Sequence, residues 1–378
     1  MVKKYLIPEG TRDLILKDCN LKKKLQKDIE EIFEKWGYDE IVTPTIEFYQ
    51  TFNSGFQKLK EEDVYKFFDA KGRILVLRPD MTIPIARVVA TKLKEVKAPI
   101  RLRYCADVFR VHQSLGGKKN EYTDCGIELI GLDAEKSDLE ILVTALETMQ
   151  LLKNTNSKLE IGNINFFNSA VKDLDLDDEE KQELAELIDR KASKELEDFL
   201  NRYDIDDNYK EFLKELPWLF GGREAIDRAK GFAINSELME NIKYLEVLAD
   251  NLEELGYGNQ VSFDLGMVPR LDYYTGIIFK GYADGAGATI LSGGRYDHLM
   301  NTFGTDMPAI GFSVNLDMMM NAMENEEQEK IEKIKVYYGK QDEISVIKKA
   351  MYLRKEGKIV ELCPVDGMET IEVEKDVK

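Results

Sequence analysis

The stretch "FRVHQSLGGKKNEYTDCGIELIG", residues 109–131, decides how the rest of the chain is read. It opens with Arg110 at the end of an apolar strand, passes through paired glycines, and returns on an alternating strand that carries Glu128. This is the pattern of a hairpin whose loop grips a phosphate above a pocket for a small amine. Glu128 stands among Ile127, Leu129 and Ile130, which predicts burial near the sheet. Charged side chains almost never go there unpaired, so this carboxylate points to a partner or a ligand.

Outward from the hairpin, "RILVLRPD" (73–80) reads as a strand and "TIPIARVVATKL" (82–93) as a helix with Pro84 in its first turn. Upstream, "LKKKLQKDIEEIFEKW" (21–36) places Leu25, Ile29, Ile32, Phe33 and Trp36 on one helical face. Gly37 stops that helix, and "YDEIVTPTIEFY" (38–49) follows as a strand broken near Pro44. Downstream, Ser137 with Glu140 predicts a capping box for a helix through Leu152. Residues 166–256 turn helical and charged, with turns at "DLDLDD", "YDIDDN" and "PWLFGG". Strand character returns at "QVSFDLG" (260–266), "YYTGIIFKGYA" (273–283), "ATIL" (288–291) and "AIGFSVNL" (309–316). The helical block is therefore an insertion into an antiparallel sheet domain. "ENEEQEKIEKI" (324–334) reads as a charged linker or solvated helix, and the tail has room for one strand–helix–strand unit.

Two glycine-rich stretches have different contexts. "YADGAGATILSGG" (282–294) lies between strands without the strand–loop–helix setting of a phosphate fingerprint, and reads as a hairpin. "SGGRYDHL" (292–299) precedes a helix starting near Tyr296; Arg295 is either solvated on a tight turn or buried along a pocket. Carboxylates and tyrosines gather at Asp80, Glu128, Asp272, Tyr273 and Tyr274.

Composition bounds the function. The 378 residues carry 53 basic and 71 acidic side chains, a net −18, which disfavours a nucleic-acid partner because such binding rests on neutralising phosphates. There is no apolar run long enough to span a membrane, and "MVKKYLIPEGTRDLIL" has no signal-peptide pattern. Cys19, Cys105, Cys125 and Cys363 form no CxxC pair and have only His112 and His298 beside them. They read as buried free thiols of a reducing cytoplasm, with no metal or cofactor.

"PEGTRDLIL", "GYDEIVTPTIE", "LRPDMTIPIAR", "FRVHQS", "RLDYYTGIIF", "GGRYDHL" and "PAIGFSVNLDMM" occur in the order and spacing of histidyl-tRNA synthetase, a class II synthetase. The resemblance covers roughly residues 5 to 325. It implies an α+β fold, a class II synthetase-like antiparallel sheet flanked by helices. The core would be residues 1–165 and 257–325, with a helical insertion at 166–256. Residues 326–378 would be a linker and truncated C-terminal α/β unit, a strand–helix–strand remnant too short for a complete anticodon-binding domain. Motif 1, around Pro44, resembles the class II dimer interface.

The same motifs occur in a synthetase-like family without catalysis of its own, the regulatory subunits of short-form ATP phosphoribosyltransferase, and the departures separate the two. Arg110 matches the arginine that holds the α-phosphate and carboxylate. His112 stands where the synthetase has glutamate, Asn120 where it has arginine, and Asp124 where it has glutamine. Pro269 replaces an arginine before the Leu-Asp-Tyr-Tyr run, with Arg270 one place late, and Met318 replaces the motif 3 arginine. Loss of one donor to a developing charge costs about 2.7–4 kcal/mol. Loss of two slows chemistry by about 10⁴ or more. ATP activation is therefore expected to be absent.

The amino-acid half of the pocket is retained. By the resemblance, Asp80 and Thr82 would hold an α-amino group with Asp124 nearby, Glu128, Tyr273 and Tyr274 would read an imidazole, and Arg110 would meet a carboxylate. "LRPDMT" and "LPWLFGGREAI" also look more like the regulatory subunit. The resemblance thus implies a dimeric, non-catalytic subunit that assembles with the short catalytic chain, with histidine as effector and no tRNA. A truncated active synthetase and a free-standing histidine-binding module are the alternatives.

Overall fold

The computed structural model describes residues 6–55, 61–112, 119–153, 155–232, 235–268, 273–323, 332–339, 343–366 and 372–377. Two compact units emerge, residues 1–324 and 325–378.

The first unit is built on a nine-stranded sheet. Its order is Asp39–Glu40, Ile100–Phe109, Glu121–Ile130, Ala309–Asn315, Leu291–Arg295, Ile277–Ala283, Ser157–Asn163, Val261–Asp264 and Phe220–Gly221. The six strands from Ile100–Phe109 to Ser157–Asn163 pair antiparallel, as expected. Asp39–Glu40 and Val261–Asp264 join in parallel, so the sheet is mixed toward its edges. The opening hairpin is flanked on one side by Asp39–Glu40 and on the other by strands from residues 277–315, far along the chain.

Helix Leu16–Lys35 forms because Leu25, Ile29 and Phe33 recur every fourth residue and bury one stripe. It begins five residues before the sequence pattern suggested. Gly37, at φ +80°, supplies the left-handed residue that ends it. The region around Pro44 breaks the next segment into Asp39–Glu40 and Ile46–Phe48. Helices Leu16–Lys35 and Ala134–Met149 and those between Ile164 and Glu254 share one apolar core with one side of the sheet, including Ile127, Leu129, Phe279 and Phe312. The other side carries a second apolar cluster that includes Leu102, Tyr104 and the helix Thr82–Lys92.

A smaller sheet, Ile46–Phe48, Ile74–Leu77 and Lys66–Phe68, stands apart from the nine-stranded one. Its register puts Ile46, Phe48, Leu75, Leu77 and Phe67 on one face, and Ile46 and Phe48 remain 46% and 41% exposed. The second unit has Glu332–Tyr338, helix Glu343–Lys355 and Ile359–Pro364, plus a third strand, Glu372–Val377, that the sequence reading did not include. Residues 324–331, most of the charged stretch, lie outside the described residues. No helix among the described residues is long and apolar enough to cross a membrane.

Several expectations need correction. Cys105 and Cys125 are not free thiols: they face each other across the hairpin, Cα atoms 4.0 Å apart, and are linked as a disulfide. Their 20-residue separation concealed a direct cross-strand pairing. Cys19 is exposed rather than buried, and Cys363 half-buried. Ser137 is no cap. Asp133 precedes the helix Ala134–Met149, while Ser137 lies within its first turn and bonds back to the Asp133 carbonyl at 2.8 Å. Glu140 is engaged by both arms of Arg101, at 3.0 and 2.8 Å. "SGGR" is strand rather than turn, and the strand starts at Leu291 instead of Ala288. Arg295 is buried but belongs to an ion-pair network with Asp138, Asp297 and Ser137, not to a pocket wall.

Candidate ligand pocket

All seven residues singled out from the sequence line one cavity of about 250 Å³ on the sheet side opposite the helical core. Asp80 and Thr82 arrive at the start of helix Thr82–Lys92, where the Asp80 carboxylate accepts from the Ile83 N–H at 3.2 Å. Asp124 and Glu128 project from the same strand, four residues apart and therefore on one face. Arg110 follows strand Ile100–Phe109, and Tyr273 and Tyr274 precede strand Ile277–Ala283. Asp272, Pro269, Arg270 and the loop residues 113–118 lie outside the described residues.

Glu128 is the deepest of these groups, 1% exposed. Thr82 Oγ1 donates to its Oε1 at 2.8 Å, and the Tyr296 hydroxyl donates to its Oε2. Burial pushes its carboxyl up to about 8; Tyr296 and Thr82 oppose the shift and the charge of Asp80 adds to it. Asp124 is pushed up to about 7, again chiefly by burial, with Arg110 opposing and Asp80 and Asp317 reinforcing. Arg110 stays charged because Tyr122, Asp80 and Asp124 outweigh its desolvation, and its Nε donates to the Pro79 carbonyl at 2.8 Å.

The tyrosines form a wall. Tyr273 stacks on Tyr296, centroids 5.9 Å apart, and meets Tyr274 edge-on at 4.8 Å. Tyr296 and Tyr104 were not among the sequence-derived site residues, nor were Lys280, Ser292 and Ser313, which also line the cavity. Tyr296, Lys280, Ser292 and Ser313 all sat in quoted stretches, but only the register of the sheet brings the last three to one cavity. The floor is kept low by glycine. A Cβ on Gly311 would lie 1.9 Å from Glu128 Oε2, and one on Gly294 would lie 2.7 Å from the Tyr274 ring.

The arrangement offers acceptors to an ammonium group, and to a ring nitrogen a carboxyl that can accept or, when neutral, donate. At 250 Å³ the cavity is smaller than the 300–1,000 Å³ of typical drug-sized pockets and fits a small metabolite. Beyond it, the substituted positions serve structure. Met318 is absent from the lining, packs half-buried against the helical core, and gives its N–H to the Asn315 side chain at 3.0 Å. Its neighbour Asp317 is buried and ion-paired with Arg12 and with Lys119, the latter at 3.0 Å. Asn120 is buried and ties the hairpin to the Glu9 carbonyl at 3.3 Å and the Tyr65 hydroxyl at 3.0 Å. It also accepts from the His112 N–H at 3.1 Å. Among the described residues no group of three or more His, Cys, Asp or Glu could hold a metal ion.

The pattern of the histidyl-tRNA synthetase family matches residues 10–319. A Clostridium kluyveri protein named ATP phosphoribosyltransferase regulatory subunit is 40% identical over 369 residues, 96% of this chain and 94% of that one. A solved Bacillus halodurans structure, described as an ATP phosphoribosyltransferase regulatory subunit/histidyl-tRNA synthetase, superposes with a TM-score of 0.86 at 31% identity, covering 97% and 94% of the two chains. Histidyl-tRNA synthetase from a Nostoc species shares the fold, with a TM-score of 0.77 at 19% identity over 97% and 86% of the chains.

Proposed function

This chain belongs to the family of ATP phosphoribosyltransferase regulatory subunits, and from that membership we propose that it activates a short catalytic chain and carries the histidine-sensing site of the complex. It is a non-catalytic subunit with a role in histidine biosynthesis. The catalytic chain transfers the phosphoribosyl group of phosphoribosyl pyrophosphate onto ATP; this chain supplies assembly and regulation, in the cytoplasm.

The observation that carries this reading is the pocket's asymmetry. The seven groups suited to an amino acid converge on one cavity, while Met318 and Asp317, on the motif 3 helix, are engaged in packing and ion pairs. Histidine fits the retained half: its ammonium at Asp80, Thr82 and Asp124, its imidazole at Glu128, Tyr273 and Tyr274, its carboxylate toward Arg110. Charge-assisted contacts of this kind contribute about 1.5–3 kcal/mol each. In this reading the core is discontinuous, 1–165 and 257–325, interrupted by the 166–256 insertion, and residues 326–378 are a linker and a small α/β unit. The apolar face of Ile46, Phe48, Phe67, Leu75 and Leu77 supports a two-fold contact at motif 1.

Light scattering on the purified chain, alone and mixed with the short catalytic subunit, tests the assembly. A dimer at micromolar concentration and a larger mixed species are expected. A monomer whose elution is unchanged by the catalytic chain would overturn the reading.

A further inference from the structure

Cross-strand register lines up a second row of the pocket: Lys280 opposite Ser292, Ser292 opposite Ser313, Ser313 opposite Gly126. It runs two residues from the row Ile278, Gly294, Gly311 and Glu128. Among the cavity-lining residues, the Glu128 row reaches buried Ile278, whereas the second row reaches half-buried Lys280, with two hydroxyls along the way and Glu160 opposite it on the next strand. Lys280 and Ser313 are two strand spacings apart, about 10 Å. A four-carbon stem laid over Ser292 shortens that gap to contact range of a group resting above Ser313.

The two cations of the pocket differ in what already surrounds them. Arg110 is flanked by Asp80 and Asp124 and gives its Nε to a backbone carbonyl. Lys280 makes no ion pair within 4.0 Å among the described residues. The carboxylate nearest it in register is Glu160, whose own acidity is weakened, mainly by burial.

We infer that Lys280, with Ser292 and Ser313, is an anion subsite of this pocket and the residue that selects ligands carrying a carboxylate. The inference rests on the histidine reading above and shifts part of carboxylate recognition from Arg110 to Lys280. Calorimetric titration of the full chain with L-histidine and with histidinol, which lacks the carboxylate, tests it. The unmodified protein prefers histidine. Lys280→Gln is expected to lose about tenfold of that preference (about 1.4 kcal/mol) while its affinity for histidinol changes little. Lys280→Arg should restore most of the preference, and both variants should melt within a few degrees of the parent. An unchanged histidine-to-histidinol ratio in Lys280→Gln would overturn the inference alone, leaving Lys280 a partner of Glu160. Failure of the unmodified protein to bind histidine would overturn the pocket reading and this inference together.

Discussion

Tyr296 and Thr82 grip Glu128 from opposite sides, each hydroxyl donating to a different oxygen of a carboxyl that is almost wholly buried. These donors favour the charged form, yet burial prevails and the folded-state value rises to about 8 from 4.5. A carboxyl raised in this way contributes stability below its unfolded value, and that contribution is lost as pH rises through the folded value. The empty protein should therefore lose unfolding free energy between about pH 4.5 and 8, with Asp124, raised to about 7, adding to the slope. Urea denaturation across this range should show a shallower dependence of stability on pH for Glu128→Gln, most clearly between about pH 5.5 and 7. An identical slope would mean Glu128 is ordinarily acidic.

Gly311 is a second point of control, since any Cβ there lies 1.9 Å from Glu128 Oε2 and 2.4 Å from the Ile127 carbonyl. Gly311→Ala should displace the Glu128 side chain, reduce histidine affinity by about a hundredfold, and cost about 1–3 kcal/mol through overpacking. Calorimetry and melting measure the two effects. Unimpaired histidine binding would place the ligand away from Glu128.

The Arg295–Asp138 pair is fully internal, at 3% and 1% side-chain exposure, and Tyr244 donates to the second Asp138 oxygen at 2.6 Å. Removing one partner strands a buried charge, so Asp138→Ala should cost about 3–5 kcal/mol. Histidine affinity of the folded variant, measured well below its melting temperature, should stay within about twofold. A loss of affinity without a loss of stability would return Arg295 to the pocket.

The hairpin was legible from local pattern, the alternation along 121–130, and burial of Glu128 followed from its apolar neighbours; the other residues of the pocket were named through the family resemblance, and what the fold adds is that all seven line one cavity. Lys280, Ser292, Ser313 and Tyr104 were not legible, because they meet only when residues 277–315 dock beside the hairpin in a register that no local window encodes. The Cys105–Cys125 pairing failed for a related reason: spacing alone does not say which residues of two strands stand opposite. At Ser137 the cap signature was present, but the helix starts at Ala134 and the sheet claims the side chain for Arg295.

Synthetase chemistry should be absent. ATP–pyrophosphate exchange in the presence of histidine should stay at background, because Met318 packs into the core rather than reaching toward a nucleotide. Exchange at a rate typical of a synthetase would contradict the assignment of this chain as non-catalytic.

The most direct measurement of the central claim is phosphoribosyl transfer to ATP by the short catalytic chain, with and without this chain, across a histidine titration. Adding this chain should raise the rate several-fold or more. Histidine should suppress the stimulated rate, and Glu128→Gln should keep the stimulation but need at least about tenfold more histidine for the same suppression. A rate indifferent to this chain would contradict the regulatory role. Suppression unchanged by Glu128→Gln would contradict the claim that this pocket is the sensor.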